Sequence, residues 1–403
     1  MTAHTPQPQR PPCDKDRRTW CVAAAAWPLA TPAVASADRP DRRDILDAQA
    51  LRRLDAAVSK ALQDGRLPGG VVRLERDSLV HEQAWGSKAL EPEPQPMDVS
   101  AVFDVASLTK VVVTAPLVMH LVESGGLRLS DPLRKFVPEF QSHDEVTLMQ
   151  LLTHTSGLPA GLPLSPTWRG REAALQLACT RALTHAPGTF FRYSDVNFIL
   201  LGDVVQRVAA KPLEVLAHEW LFSPLKMHDS GFLPLQRVSE SRLVPTEWVT
   251  EEPGLRMLRG EVHDPTARRM GGVAGHAGLF STVADLSRFA RMVLAGGELD
   301  GVRVLQEATV RRMCAVSTPA SVPERRALGW DVDSPYSRAR GRRYPLGSVG
   351  HTGFTGCALW LDPASHAFHV WLSNRVHPRT REPIVALYDD VATAAAEAML
   401  GPR

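Results

Sequence analysis

Strand-like segments occur near both ends of this 403-residue chain, and the long stretch between them has a different pattern. Residues 71–76 and 80–85 alternate around a turn, and three further strand-like runs lie between 349 and 373. Residues from about 128 to 300 are mostly helical segments and loops rich in Gly and Pro. The ends must therefore pair to make one sheet. This predicts a mixed α/β fold of the α+β type, with an antiparallel sheet built from the N- and C-terminal segments and an inserted, mostly helical lobe.

Helices are expected to flank this sheet. Residues 44–62 have the periodicity of an amphipathic helix, and residues 384–400 form a second helix that closes the chain. The space between the sheet and the inserted lobe is the natural place for a substrate.

The first 37 residues are typical of an export signal. Arg17 and Arg18 precede an apolar run, and the small residues 35–37 resemble a cleavage site. The arginine pair favours a twin-arginine leader, with an ordinary secretory signal as the alternative. The apolar run is short and contains Pro28 and Pro32, so it is not expected to span a membrane. The prediction is a mature catalytic domain at 38–403, in the periplasm or outside the cell.

Charge and cysteine content narrow the classes of partner. Without the predicted leader the chain carries 42 basic and 42 acidic residues, which argues against a nucleic-acid or anionic-membrane partner. Cys179, Cys314 and Cys357 leave at least one free thiol and no close pair for a disulfide framework or a metal site. The 14 histidines contain no HExxH pattern, so no metal or cofactor is predicted. The pattern does not predict an oligomeric state.

Ser107 and Lys110 are the first candidates for chemistry. They lie at the start of a periodic helix, and a spacing of three residues puts both side chains on one helix face. Serine needs a base to become a nucleophile, and a neutral, desolvated lysine can be that base. The alternative is a serine near a helix cap followed by a surface lysine. The same spacing recurs at Ser223 and Lys226, but there no apolar periodicity follows, so that copy is predicted to be a loop.

Two further segments carry groups that acyl transfer requires. Tyr193 precedes a predicted helix, and a tyrosine beside a cation can act as an acid or a base. Alternatively, it is a half-buried tyrosine bonded to a carbonyl group. Residues 350–356 are glycine-rich, which lets a strand approach a ligand closely, so the Phe354 and Ser107 amides could form an oxyanion hole. The alternative there is a bulge in an edge strand.

Three other histidines receive structural interpretations. His154 is expected to shape a turn. His276 lies in a glycine-rich loop that could line the pocket, or it leads into a helix capped by Thr282. His263 and Asp264 could be a ligand pair, but nothing nearby in the sequence completes it.

The order, spacing and flanks of these motifs resemble the serine β-lactamase and penicillin-binding-protein superfamily. The similar branch contains class C β-lactamases, DD-carboxypeptidases, D-aminopeptidases and β-lactamase-like esterases. The family motifs SxxK, Y-x-N and K-T-G or H-T-G are matched by residues 107–110, 193–195 and 351–353. Flanking signatures at 151–158, 271–281 and 328–330 are similar as well, and the resemblance covers roughly residues 45–400.

This resemblance implies roles for the matched residues. Ser107 would form an acyl-enzyme, and Lys110 and Tyr193 would share the general-base and general-acid work, with the base left open. His351 and Thr352 would orient a substrate carboxylate or polarise Tyr193. The residues expected to bind the substrate or its acyl oxygen are Asp195, His351, Thr352, Gly353 and Phe354. The implied partner is a small molecule or peptide with a carbonyl group.

Two positions depart from the common family pattern. Asp195 stands where many relatives have Asn, and an ionised Asp can accept hydrogen bonds but cannot donate to a substrate carbonyl. His351 stands in place of Lys, so binding of an anion there is expected to weaken as pH rises above about 6.5.

Three functions follow from these motifs. The first is a DD-carboxypeptidase-like penicillin-binding protein acting on cell-wall peptide. The second is a carboxylesterase of the same type, favoured by Asp195. The third is a non-catalytic penicillin- or peptide-binding module, against which the presence of Ser107, Lys110 and Tyr193 argues. β-Lactamase activity is not favoured, because the speed of deacylation cannot be derived from motifs.

Overall fold

The computed structural model describes residues 45–141, 146–251, 254–334, 337–379 and 383–401. The predicted leader, residues 1–37, lies outside these ranges and stays a prediction. No helix in the described ranges is both long enough and apolar enough to span a lipid bilayer.

Ten α-helices occur in the described residues. In chain order they are α1 (Ala48–Gln63), α2 (Ala115–Glu123), α3 (Leu148–Leu152), α4 (Arg171–Cys179), α5 (Asp195–Ala209), α6 (Leu213–Ala217), α7 (Pro265–Arg269), α8 (Val283–Leu294), α9 (Glu307–Cys314) and α10 (Val385–Leu400). Two π-helical turns adjoin these helices: Lys110–Thr114 directly precedes α2, and His218–Phe222 directly follows α6. α1 begins later than predicted because the Asp47 side chain accepts the Gln49 and Ala50 amides and so caps the helix there.

The strands fall into one large sheet and three small pairs. In chain order they are β1 (Gly69–Arg76), β2 (Leu79–Ala89), β3 (Gln95–Pro96), β4 (Phe103–Asp104), β5 (Trp248–Glu251), β6 (Gly254–Met257), β7 (Phe280–Ser281), β8 (Glu298–Leu299), β9 (Val302–Arg303), β10 (Arg325–Arg326), β11 (Asp331–Asp333), β12 (Val349–Gly353), β13 (Cys357–Asp362) and β14 (Ala367–Ser373). The large sheet has the order β10-β11-β12-β13-β14-β1-β2-β3.

The sheet joins the two ends of the chain. β1 pairs antiparallel with β14, with Val72 opposite Trp371, and β2 continues the sheet on the other side of β1. The prediction of an antiparallel sheet from N- and C-terminal segments is therefore confirmed.

Alternate residues of β1 face two separate hydrophobic clusters. Val72 packs in a cluster with Leu54 of α1 and Leu387 of α10. Val71 belongs to the larger cluster on the opposite face, which includes Phe289 of α8. This alternation follows from the two-residue period of a strand. Helices on both faces bury the central strands and fix the sheet that carries the site.

The middle of the chain also contains strands that the sequence pattern did not predict. β5 pairs with β6, and β8 pairs with β9. β7 is another such strand, and it pairs with β4, the strand that leads to Ser107, with Asp104 opposite Phe280. These pairs are two to four residues long, too short to produce a periodic signal. The β4–β7 pair matters for the site because it joins the serine segment to the glycine-rich loop before β7.

Candidate active site

Ser107 lies on a tight turn between β4 and the helical segment that ends in α2. Ala106, the residue before it, has a φ of 47°, a left-handed conformation that is unfavourable for a residue with a side chain. The buried Asp104 carboxylate accepts the Ala106 amide at 2.8 Å and so holds this turn. Burial raises the pKa of Asp104, and bonds from the His263 and Ala106 amides oppose that effect. The strained turn fixes the direction of the serine side chain.

Lys110 begins the π-helical turn that follows Ser107. Its amide donates to the Ser107 carbonyl at 3.1 Å, and its Nζ lies 2.9 Å from Ser107 Oγ. One turn later, Thr114 Oγ1 donates to the Gly275 carbonyl at 2.6 Å. The predicted contact between the serine and the lysine is thus present, across a turn closed by i→i−3 bonds that is tighter than the regular α-helix the pattern predicts, and the π-turn begins only at Lys110. π-Turns of this kind are frequent at functional sites.

The Lys110 ammonium is fully buried and surrounded by oxygen atoms. Asp195 Oδ1 lies 2.7 Å from Nζ, and the His276 carbonyl oxygen lies 3.0 Å from it. Burial by itself lowers the pKa of Lys110, but the Asp195 carboxylate and Tyr193 outweigh it, so the pKa is raised. The lysine is therefore strongly held in its charged form before substrate binds.

Tyr193 lies over the Lys110 amino group, 5.0 Å from Nζ to the ring centroid. The His154 ring packs against its other side at a centroid distance of 4.5 Å, and His154 Nδ1 accepts the Ser194 amide. Burial raises the pKa of Tyr193, while the charge of Lys110 and hydrogen bonding with Lys110 and Ser107 act in the opposite direction. His154 thus supports Tyr193 through packing, in addition to shaping the turn in which it lies.

Asp195 is the first residue of α5. Ser194 caps this helix by accepting the Asn197 amide, and Asp195 donates its own amide to the Ala160 carbonyl at 2.7 Å. These bonds aim the Asp195 side chain at Lys110 while about a third of that side chain remains exposed. Asn197 does not replace the missing family Asn, because it is buried and accepts a bond from Ser156.

β12 brings the last predicted residues to the site. His351 and Thr352 line the same cavity as Ser107, and Phe354 lies at its rim with 54% of its surface exposed. Gly353 does not line the cavity. A Cβ at Gly353 would collide with the Val105 carbonyl oxygen, so glycine permits β12 to approach the serine turn.

In the structure, His351 lacks the charge that was expected to bind an anion below about pH 6.5. Burial, with Arg326 and Lys110 nearby, lowers its pKa well below the usual value, so the ring is neutral at neutral pH. Its Nδ1 donates to the Thr352 carbonyl at 2.8 Å, which leaves Nε2 as the acceptor. Nε2 is buried without a protein partner in the described ranges. A neutral acceptor cannot attract a carboxylate, so the geometry favours the other expected role, toward Tyr193, whose ring centroid is 5.8 Å away.

Arg326 is a cavity residue that the sequence reasoning missed. It lies in β10, is 2% exposed, and lines the cavity together with Asp331, its partner at 3.3 Å. Nothing near Arg326 in the sequence signals this position, because it reaches the site through the pairing of β10 with β11.

Asp264 and His276 form a second pair on the cavity wall. His276 Nε2 lies 2.9 Å from Asp264 Oδ1, and the His276 carbonyl is the one that binds Lys110. Burial would raise the pKa of Asp264, but His276 and the Ala267 amide lower it far below its usual value. The glycine-rich loop that contains His276 therefore lines the pocket, which is the first of the two alternatives predicted for it.

These residues enclose a cavity of about 380 Å³. Asp195, Asp264 and His276 have donor atoms within 4.8 Å of one another, a spacing that could hold a cation. We do not identify them as metal ligands, because the Lys110 ammonium already pairs with Asp195 there. The other serine–lysine copy does not line the cavity: Lys226 Nζ lies 3.8 Å from Asp300, and its side chain is 60% exposed.

A model of the Beta-lactamase family matches residues 54–393, most of the chain. The chain belongs to the beta-lactamase family. It is a member of a family of serine hydrolases, and the resemblance seen in the motifs is confirmed.

Curated relatives of this beta-lactamase family member include a protein of Salmonella agona (strain SL483). It is 28% identical over 374 residues, covering 84% of this chain and 86% of the relative, and bears the name "Putative D-alanyl-D-alanine carboxypeptidase".

Solved structures show the same fold. A penicillin-binding protein homologue from Caulobacter crescentus is 19% identical, with a TM-score of 0.68 over 88% of this chain and 98% of that one. EstCE1, described as a hydrolase with promiscuous acyltransferase activity, is 22% identical, with a TM-score of 0.66 over 85% of this chain and 98% of its own.

Proposed function

We propose that this protein is an exported D-alanyl-D-alanine carboxypeptidase that acts on cell-wall peptide through an acyl-enzyme on Ser107. The observation that carries the proposal is the 2.9 Å contact between Lys110 Nζ and Ser107 Oγ on a cavity wall, with Tyr193 beside it. The name of the curated relatives supports the choice of substrate.

In the proposed reaction, Ser107 Oγ attacks the carbonyl carbon of the penultimate D-alanine. The serine proton passes to the Lys110–Tyr193 pair as the Oγ–C bond forms, and the same pair protonates the departing amine of the terminal D-alanine as the C–N bond breaks. The Ser107 and Phe354 amides are the proposed donors to the oxyanion. Water then attacks the acyl carbonyl carbon and gives its proton to the same pair, which returns a proton to Ser107 Oγ as the acyl–Oγ bond breaks and the shortened peptide leaves as a carboxylate.

A carboxypeptidase must also bind the terminal carboxylate of its substrate. Because His351 is neutral, we assign this role to Arg326 and Thr352, which line the cavity next to it. An arginine keeps its charge throughout the accessible pH range and offers a planar set of donors that suits a carboxylate. Affinity for the carboxylate should therefore not fall as pH rises through 6.5.

A carboxylesterase is the second candidate, and Asp195 favours it. An ionised Asp195 accepts hydrogen bonds but cannot donate one to the amide carbonyl of a peptide, whereas an ester needs no such donor. The exposed ring of Phe354 at the cavity rim is suited to an apolar alcohol group. The likeness to EstCE1 agrees with this choice.

Two assays separate these functions. The mature protein is incubated with an N-acylated D-alanyl-D-alanine peptide and, separately, with a p-nitrophenyl ester. Release of D-alanine that is lost in Ser107→Ala and kept in Ser223→Ala supports the carboxypeptidase. Ester turnover without D-alanine release supports the esterase, and turnover of neither substrate contradicts both.

A further inference from the structure

The protonation state of Lys110 depends on which of its neighbours can only accept hydrogen bonds. Its Nζ lies 2.7 Å from Asp195 Oδ1, 2.9 Å from Ser107 Oγ and 3.0 Å from the His276 carbonyl, and it also hydrogen-bonds with Tyr193. The His276 carbonyl requires an N–H group, and the Asp195 carboxylate is in ion-pair contact with the amino group. At the Ser107 contact, Nζ is either a neutral amine that accepts the serine proton or an ammonium that donates to Oγ.

The charge of Asp195 decides this choice. A separation of 2.7 Å is typical of a bond between an ammonium and a carboxylate. An opposite charge this close raises a lysine pKa, and a neutral asparagine at the same place would not. Burial acts the other way, but the net direction for the pKa of Lys110 is upward.

The other groups that face Lys110 do not reverse the effect of Asp195. Tyr193 is neutral, since burial raises its pKa. His154 and His351 are neutral, since burial together with Arg326 and Lys110 lowers their pKa values. Beyond them, the Arg326 charge is paired with Asp331, and Asp264, next to His276, adds a second negative charge on the cavity wall.

We propose that Asp195 is a positioning residue that holds Lys110 as an ammonium ion, so that a base for Ser107 becomes available only at alkaline pH. The inference rests on the proposed role of Ser107 as the nucleophile. In the charged state, Lys110 stabilises the Ser107 oxygen by donating to it but cannot remove its proton. The same carboxylate opposes ionisation of Tyr193, so either candidate base loses its proton at a higher pH than it would beside an asparagine.

The rate of Ser107 modification by a fluorophosphonate tests this directly. In that reaction a bond forms between Oγ and phosphorus, the P–F bond breaks, the serine proton goes to the base and fluoride leaves to solvent. The probe has no carboxylate and no amide, so its pH dependence reports activation of the serine and not substrate binding. We expect the rate of the wild-type protein to rise with pH to a midpoint above about pH 8.

Three variants separate the charge of Asp195 from its structural role. In Asp195→Asn the midpoint should fall by at least about 1 pH unit, because the anion that stabilises the ammonium is gone. Asp195→Glu retains the charge and should keep an alkaline midpoint. Asp300→Asn, the same substitution at a surface position, should leave the profile unchanged, because Asp300 pairs with Arg288 and Lys226.

The possible failures are distinguishable. An unchanged midpoint in folded Asp195→Asn overturns the inference and leaves the nucleophile assignment intact. A wild-type midpoint below about pH 8 overturns the inference as well, and this measurement needs no variant. Labelling that persists in Ser107→Ala overturns the proposed function itself.

Discussion

Gly353 shows how closely the serine turn and the sheet must approach each other. A side chain at this position would press on the Val105 carbonyl, two residues before Ser107, so Gly353→Ala should push β12 away from the nucleophile. A displacement of about 1 Å in a site of this kind can cost about 100-fold in rate. We expect kcat/KM for the ester to fall at least tenfold. Gly161→Ala is the control, because its Cβ would meet nothing within 4 Å.

Arg326 and Asp331 form an ion pair in which both side chains are almost fully buried. Removing one partner leaves an unpaired buried charge, so Arg326→Met should lower the free energy of unfolding by about 3–5 kcal/mol. Urea denaturation measures this. Arg311→Met is the matched control: its pair with Glu307 is exposed and should be worth at most about 0.5 kcal/mol. Equal losses in the two variants would contradict this account of the buried pair.

At the scale of single residues, the spacing of the catalytic residues could be predicted from the sequence, but the other groups that line the site could not. Ser107 and Lys110 could be paired because three helical residues bring two side chains to one face. The His276 carbonyl and Arg326 could not be assigned, because they reach the cavity through the glycine-rich loop before β7 and the pairing of β10 with β11. The neutral state of His351 also depends on burial, which the motif does not contain.

At the scale of elements, the cap at the N-terminus of α5 contributes both to the stability of the protein and to the geometry of the active site. Ser194 Oγ donates to the Pro159 carbonyl at 2.6 Å and accepts the Asn197 amide, and its chain neighbours are Tyr193 and Asp195. Ser194→Ala should therefore cost about 1 kcal/mol of stability and also reduce the rate of Ser107 labelling, because the Tyr193–Asp195 segment loses its anchor.

Thr282→Ala is the matched control for this helix cap. Thr282 caps α8 by accepting the Asp285 amide at 3.1 Å and does not line the cavity. We expect a similar loss of stability in thermal denaturation and an unchanged labelling rate. A parallel loss of activity in both variants would mean that the effect of Ser194 is only one of global stability.

Long periodic elements were predictable, and short ones were not. α10, β1 and β14 lie within two residues of the ranges expected from hydrophobic periodicity. The π-turn at Lys110–Thr114 is invisible to such a pattern, because it depends on packing against the Gly275 loop. Gly275 lets the same loop approach α5, since a Cβ there would collide with the Phe198 carbonyl of that helix.

At the scale of the whole molecule, the large sheet needs strands from both the N-terminal and the C-terminal parts of the chain. β1 lies between β2 and β14, and the cavity-bearing β12 is joined to β14 through β13. Trp371 packs beside Trp85, with ring centroids 6.2 Å apart and both in the cluster under α1 and α10. Trp371→Ala should lower the free energy of unfolding by about 3–5 kcal/mol in urea titration, with ester turnover per folded molecule nearly unchanged.

The proposed export of the protein can also be tested. If residues 1–37 are a twin-arginine leader, replacing both Arg17 and Arg18 by Lys should stop export of a fused reporter. Export that is unaffected by this change would favour the ordinary secretory signal.

Peptide mapping after labelling tests whether Ser107 forms a covalent acyl-enzyme. The mature protein is treated with a fluorescent penicillin and, separately, with a fluorophosphonate, then digested and sequenced by mass spectrometry. We expect one modified residue, Ser107, with labelling lost in Ser107→Ala and retained in Ser223→Ala. An adduct on another residue, or labelling that persists in Ser107→Ala, would contradict it.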